Sequence, residues 1–323
     1  MTKNLEQILT VIKENDHFLV TAHANPDGDA VGAMAAMGYI LQSLKKNFVL
    51  YNESGLPQRL SWLKLPGPII QELPEQEPKW LIVLDSGDSS RPGEKIKNLI
   101  AKVRTINIDH HLGNPDFGLI NWVEPRSSSV GEMVAQIARK LGVPLRGPLA
   151  EAIYLAIASD TGGFSFGNTT PEVLELTAHL IRQGLDFGLV NAQMQKQWTI
   201  NKIKLQGKVL QGTELHFNDQ IGLITITEKM FKQTGSTVED CEGLVNYVRN
   251  IKSVKVAISL REDGAEKIKF SLRSYGKIDV QQMASSLGGG GHKNASGGTL
   301  EMSLSQAKEK VLDTVSQYLS KYE

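Results

Sequence analysis

The chain has a single cysteine, no surplus of either charge and no apolar run long enough to cross a bilayer. Each shortage removes a class of function. Cys241 alone can form neither an internal disulfide nor a cysteine-based metal cage, which fits a reducing compartment. Lys+Arg and Asp+Glu stand at 35 each, so no overall positive field exists to grip a long duplex nucleic acid. A short or small anionic ligand is favoured over a polymer. The longest uncharged apolar stretch, Ala30 to Leu41, falls far short of the ~20 residues a spanning helix needs. The start, Met1-Thr2-Lys3-Asn4-Leu5-Glu6, lacks the charged-then-apolar pattern of a signal peptide. No membrane partner and a cytoplasmic location are therefore expected. A homodimer is compatible with the sequence, which does not speak to oligomeric state.

What is present fits two domains, because 323 residues exceed one compact core. The first half alternates short β-rich runs with helical patterns. Strands are predicted at 17–22, 47–51, 80–84 and 105–108, and helices at 30–44, 130–141, 149–158 and 171–182. The apolar runs do not alternate, as expected for parallel strands covered on both faces. The fold class predicted is α/β, with a mainly parallel sheet in an N-terminal domain (1–185). A helical linker (186–215) and a smaller α/β C-terminal domain (216–323) follow. In that second domain strands are predicted at 221–227, 254–260 and 268–272, and helices at 239–250, 280–287 and 303–322.

Acidic and imidazole residues gather where strands end. His23, Asp27 and Asp29 lie in His23-Ala24-Asn25-Pro26-Asp27-Gly28-Asp29, directly after the first strand. Asp85 ends the strand 80–84, Asp109-His110-His111 end the strand 105–108, and Asp160 follows the helix 149–158. Open parallel sheets place ligands outside the carboxyl ends of their strands, so three of these four clusters converge by topology alone. Taken singly, each has an ordinary explanation: an Asp-Gly turn, a helix cap at Asp85, a hydrogen-bonded core histidine, a turn cap at Asp160. Four such clusters together are improbable as independent turns. Four carboxylates with two or three imidazoles and no thiolate suit a pair of divalent ions, Mn²⁺ above all, with Mg²⁺ or Co²⁺ as substitutes. Two ions roughly 3.5–4 Å apart can share one carboxylate.

Elsewhere, Gly288-Gly289-Gly290-Gly291-His292 has the composition of a loop whose N–H groups approach phosphate oxygens closely, and equally that of a hinge. Arg126-Ser127-Ser128-Ser129 precedes a helix; one serine is expected as its N-cap, and a helix start is also an anion site. Phe164, Phe166 and Trp198 are candidates for base stacking, although aromatics are more often core.

These motifs, in order, resemble those of the DHH phosphoesterases, and Gly288 to Ala295 resembles the glycine-rich signature of the DHHA1 domain that accompanies one subgroup. The resemblance spans nearly the whole chain. It implies one Mn²⁺ on His23, Asp27 and Asp85, and a second on Asp29, Asp85, His110 and Asp160. His111 would face the scissile phosphate as donor or acid, with Asp109 orienting a neighbouring histidine. Asn25, Arg126, Ser127, Ser128, Arg273, Gly290, Gly291, His292 and Asn294 would bind substrate. The subgroup it looks most like acts on oligoribonucleotides a few nucleotides long, releasing 5′-mononucleotides, and on 3′-phosphoadenosine-5′-phosphate (PAP), with a cleft between domains limiting substrate length. A cyclic or linear dinucleotide phosphodiesterase is the nearest rival. A family II pyrophosphatase lacks the glycine signature, and a long-strand exonuclease usually carries a further domain. A nucleotide-binding regulator with an inactive site is disfavoured because no ligand of the motif set is missing.

Overall fold

The computed structural model describes residues 3–196 and 198–320. The chain divides into two compact units, Met1–Gln197 and Trp198–Glu323. The residues of the expected linker, 186–215, are shared between them.

Unit 1 holds six parallel strands: β1 (Phe18–Ala22), β2 (Phe48–Tyr51), β3 (Ile69–Ile70), β4 (Trp80–Leu84), β5 (Arg104–Asp109) and β6 (Ile120–Val123), in the order β3-β2-β1-β4-β5-β6. Seven helices accompany them: α1 (Lys3–Glu14), α2 (Gly28–Ser43), α3 (Glu94–Ile100), α4 (Val130–Lys140), α5 (Pro148–Asp160), α6 (Pro171–Arg182) and α7 (Phe187–Gln195). Every residue of β1 and β4 is buried, which is why their sequences do not alternate. Their side chains nevertheless divide between two faces. Phe18, Val20, Ile82 and Leu84 join the core with α2, α4 and α5, whereas Leu19, Leu81 and Val83 pack with Ile96 of α3. The strand order reverses between β1 and β4, and that switch point opens a crevice at their carboxyl ends.

The four helices predicted in this unit are all present, within two residues at each end. Not anticipated were α1, α3 and the short strands β3 and β6. The amphipathic α1 buries Leu5, Ile8, Leu9 and Ile12, each contributing roughly 2 kcal/mol of apolar burial.

Unit 2 contains α8 (Ile200–Gln211), β7 (Glu214–His216), β8 (Ile221–Ile226), α9 (Glu228–Thr234), α10 (Leu244–Arg249), β9 (Val256–Glu262), β10 (Lys267–Ser274), α11 (Val280–Ser286), β11 (Gly290–His292), β12 (Ala295–Glu301) and α12 (Leu304–Leu319). Its mixed sheet runs β11-β12-β10-β9-β8-β7, with β8 and β9 parallel and the other pairs antiparallel. Two sequence expectations need correction. The helix expected over 239–250 is a 3-10 turn (Val238–Cys241) followed by α10, because Gly243 takes a φ of +82° between them. The glycine run is not simply a loop: Gly290–His292 forms an edge strand on β12, pairing Gly291 with Ser296. A Cβ on Gly291 would stand 2.6 Å from the Ala295 carbonyl oxygen, so no larger residue fits this pairing.

Candidate metal centre

The crevice is built by close helix packing as much as by the sheet. Helices α2 and α5 run antiparallel and almost touch. A Cβ on Gly32 would lie 2.5 Å from the Ala152 carbonyl oxygen, and one on Gly131 of α4 would lie 2.2 Å from Ala156 Cβ. The Gly/Ala-rich sequence of α2 therefore permits an approach that brings its first turn to the last turn of α5. Asp27 and Asp29 thereby meet Asp160.

Six side chains converge there. His23 Nε2 stands 3.8 Å from Asp27 Oδ1 and 3.6 Å from Asp85 Oδ2. His110 Nε2 lies 3.1 Å from Asp160 Oδ2, 3.7 Å from Asp85 Oδ1 and 3.9 Å from Asp29 Oδ2. Both rings are turned by backbone carbonyls, which take the other nitrogen: His23 Nδ1 lies 2.9 Å from the Ala24 oxygen, and His110 Nδ1 lies 3.1 Å from that of Ser127. These contacts at Nδ1 turn each Nε2 toward the carboxylates. Asp85 reaches the middle because it adopts φ +51° directly after β4. Asp tolerates this left-handed conformation better than most residues. It does not cap a helix, since α3 begins only at Glu94.

Asp27 and Asp29 each have a second duty. Asp27 Oδ1 accepts from the N–H groups of Asp29 (3.0 Å) and Ala30 (3.1 Å), capping α2. Asp29, fully buried, accepts from Val130 N–H (2.7 Å) and Gly131 N–H (2.9 Å). The anion at the start of α4 is thus Asp29, where the sequence had suggested a substrate phosphate. Ser129 is the N-cap of that helix, as expected of one of the three serines. Ser128 N–H and Oγ both reach Glu132 Oε2 at 2.8 Å, Ser127 Oγ is buried without a partner among the described residues, and Arg126 is exposed.

His111 stands beside the group. Its Nδ1 is 2.7 Å from Asp109 Oδ1 and 3.6 Å from Asp85 Oδ1. Asn114 Nδ2 donates to the other Asp109 oxygen at 2.6 Å, and Arg91 Nη1 lies 3.3 Å from His111 Nε2. Arg91 and Asn114 carry no signal in the sequence beyond following Asp85 and His111 by a few residues; a pairing across separate loops is invisible there. Asn25, exposed with φ +53°, donates its backbone N–H to Ser54 Oγ at 2.9 Å.

The electrostatics describe a cluster short of positive charge. Among the described residues, no lysine or arginine pairs with Asp27, Asp29, Asp85 or Asp160. Burial would lower both imidazoles, yet the surrounding carboxylates raise His23 and His110 to about 10. Burial, with the charges of Asp85 and Asp160, pushes the Asp29 carboxyl well above its usual range, and burial likewise raises Asp160. Burial pulls Asp27 upward too, but its contact with His23 prevails and holds it at about 2. Donor atoms of three overlapping groups lie within 4.8 Å of one another: His23/Asp27/Asp85, Asp29/His110/Asp160 and Asp85/His110/His111. Oxygen and imidazole donors, a net negative charge and shared use of Asp85 and His110 fit a pair of hard or borderline divalent cations.

In unit 2, Gly290, Gly291 and His292 line the exposed edge strand. Asn294 Nδ2 donates to Ser274 Oγ (2.9 Å) and the Ile278 carbonyl (3.0 Å), which ties the following turn to β10. Arg273 Nη1 donates to the Leu272 carbonyl at 3.0 Å.

Two family descriptions match this chain: the DHH family N-terminal domain over residues 17–157, and the DHHA1 domain over residues 223–321. The chain belongs to the DHH–DHHA1 phosphoesterase family. Among its relatives, a Thermus thermophilus protein named bifunctional oligoribonuclease and PAP phosphatase NrnA is 31% identical over 94% of this chain and 90% of its own. A Bacillus subtilis protein of the same name is 27% identical, covering 91% of this chain and 92% of its own. The crystal structure of an exopolyphosphatase-related protein from Bacteroides fragilis superposes with a TM-score of 0.90 at 28% identity, over 100% of this chain and 98% of that one. This DHH–DHHA1 chain thus shares nine-tenths or more of its length with these relatives.

Proposed function

We propose that the chain is a manganese-dependent phosphoesterase that cleaves short oligoribonucleotides to 5′-mononucleotides and removes the 3′-phosphate of PAP. The observation that carries this reading is the overlap of three donor groups through Asp85 and His110. The names of the Thermus and Bacillus relatives, which cover nine-tenths or more of their own length, supply the substrate classes.

In this reading His23, Asp27 and Asp85 would hold one Mn²⁺, and Asp29, Asp85, His110 and Asp160 would hold the other. When bound, the ions supply an activated water and neutralise charge on the phosphoryl group. The remaining work falls to side chains. His111, oriented by Asp109 and Asn114, offers its Nε2 side to the leaving oxygen. Arg91, beside that nitrogen, adds a fixed positive charge where negative charge develops. Arg273, Gly290, Gly291 and His292 hold the nucleotide in unit 2. A cytoplasmic location goes with this reading, and no helix among the described residues is long and apolar enough to cross a membrane.

The test is a substrate panel. Metal-stripped protein is restored with Mn²⁺ and given PAP, a labelled dinucleotide, a long oligoribonucleotide and a cyclic dinucleotide. Turnover of PAP and the dinucleotide, with slow cleavage of the long strand, is expected. Equal rates on long strand and dinucleotide would defeat the short-substrate assignment. Preference for the cyclic compound would establish the phosphodiesterase alternative, and binding without turnover of anything would leave a nucleotide-binding regulator.

A further inference from the structure

Unit 2 places two arginines on packed elements, Arg249 over the ring of Tyr275 and Arg273 two residues before that ring, with no carboxylate paired to either among the described residues. Arg249 ends α10, Arg273 lies one residue before the end of β10, and α10 packs on β10. Arg249 lies over the Tyr275 ring, its Cζ 4.3 Å from the ring centroid. Tyr275 is anchored in turn, its hydroxyl donating to Asn250 Oδ1 at 2.8 Å. The Nε of Arg249 is buried and meets no acceptor among the described residues. Burial and the neighbouring Arg249 charge both hold the Arg273 guanidinium below its usual value, so the two cations are within electrostatic reach.

An arginine at a helix end ordinarily complements the helix dipole. That explains the charge of Arg249 but neither its stacking on Tyr275 nor the second arginine. The same unit shows the ordinary solution at Arg261, whose Nε and Nη2 donate to Asp263 at 2.6 and 2.8 Å. Arg249 and Arg273 have no such carboxylate among the described residues.

We propose that Arg249 and Arg273 form a two-guanidinium clamp for a phosphate group of a bound nucleotide, with Tyr275 and Asn250 as positioning residues that hold the plane of Arg249. The proposal rests on the nucleotide reading above and deepens it by adding a second cation to Arg273. Planar guanidinium forks match phosphate oxygens in pairs, and stacking on an aromatic face fixes the fork before the ligand arrives.

Calorimetric titration of the full-length protein with AMP and with adenosine gives the ratio of the two affinities, which the phosphate contact sets. Wild type is expected to prefer AMP. Arg249→Gln should cut that preference about tenfold. Arg249→Lys keeps the charge without the stacked fork and should fall between. Tyr275→Phe removes the anchor on Asn250 and should lower the ratio about twofold. No preference for AMP in wild type, or an unchanged ratio in Arg249→Gln, overturns the clamp; so does an equal loss of AMP and adenosine binding, the mark of a merely structural role. If Arg249→Gln does not fold, a wild-type ratio in Arg249→Lys overturns it instead. A protein that hydrolyses nothing in the substrate panel yet loses AMP preference in Arg249→Gln would reject the hydrolase reading and keep the clamp. Full hydrolysis with an unchanged ratio would do the reverse.

Discussion

The two units are unbalanced in opposite directions. Among the described residues, unit 1 gathers four carboxylates with no lysine or arginine paired to them, while unit 2 carries Arg249 and Arg273 on packed elements with no carboxylate paired to either. The chain as a whole is neutral, so neither imbalance comes from bulk composition. Each is local, and like charges in proximity repel unless a ligand of opposite sign intervenes. Under the proposed function the contrast assigns different ligands to the two units: cations to the first, an anion to the second.

Removing the shared ligand should break this comparison most sharply. Asp85→Ala is expected to lower kcat on the order of a thousandfold or more, since both proposed metal positions use that carboxylate. Its metal-free stability should change little. Asp85 repels Asp29 and Asp160 but also attracts His23 and His110, so the metal-free variant should melt close to metal-free wild type. In wild type, Mn²⁺ at a hundred times its Kd should add about 2.7 kcal/mol to the folded state. The variant should lose most of that gain, and thermal melts with and without Mn²⁺ read it directly. A metal-induced rise of wild-type size in Asp85→Ala would refute the shared-ligand arrangement.

The approach of α2 to α5 is the second point of attack. Gly32→Val places its side chain against the Ala152 carbonyl and Ala156, where backbone must move. A destabilisation of about 3 kcal/mol is expected, or on the order of 10 °C in Tm for a unit of this size. Even where folding persists, the Mn²⁺-induced rise in Tm should shrink, because Asp27 and Asp29 are displaced from Asp160. An unaltered melt in both states would show that the close packing does not set the site.

Most of unit 1 was legible in sequence because parallel strands announce themselves as unbroken apolar runs and the acidic motifs sit at their ends. His23, Asp85 and Asp109 needed only the rule that strand ends converge. What was not legible was the double duty of Asp29, whose bonds to Val130 and Gly131 join segments about a hundred residues apart. The spacing of Leu5, Ile8, Leu9 and Ile12 does mark α1 as an amphipathic helix, although nothing there marks its packing against β6. Unit 2 was harder for a physical reason. Glycines in the run 288–291 look the same whether they bend, cradle a phosphate or pair as an edge strand, and only their register with β12 distinguishes these. Arg249 was invisible for a similar reason: its Tyr275 partner lies across two other elements of the fold.

Arg91 tests whether unit 1 also needs a cation of its own. Its side chain meets His111, while its backbone oxygen independently accepts from Ala24 N–H at 2.7 Å, a bond that substitution leaves in place. Arg91→Ala should lower kcat/KM about ten- to a hundredfold, equivalent to losing one or two charge-assisted hydrogen bonds. Mn²⁺ affinity should stay at the wild-type level, since Arg91 touches none of the six proposed ligands. Loss of metal affinity in step with activity would assign Arg91 to scaffolding.

Cys241 gives the mildest test, and one confined to unit 2. Burial pushes its thiol up to about 11, which leaves little thiolate at neutral pH. In the unfolded chain the thiol returns to its ordinary value of 9.0, so alkylation at pH 8 should proceed about a hundredfold faster there than in the folded protein. Because this is the one cysteine in the chain, its labelling rate in rising denaturant reports the opening of unit 2 alone. Mn²⁺ should leave that rate unchanged while raising the melting temperature of unit 1, and AMP should slow it. Protection of Cys241 by Mn²⁺ would mean that the two units do not answer to separate ligands, and the contrast between a cation-seeking and an anion-seeking half would fail.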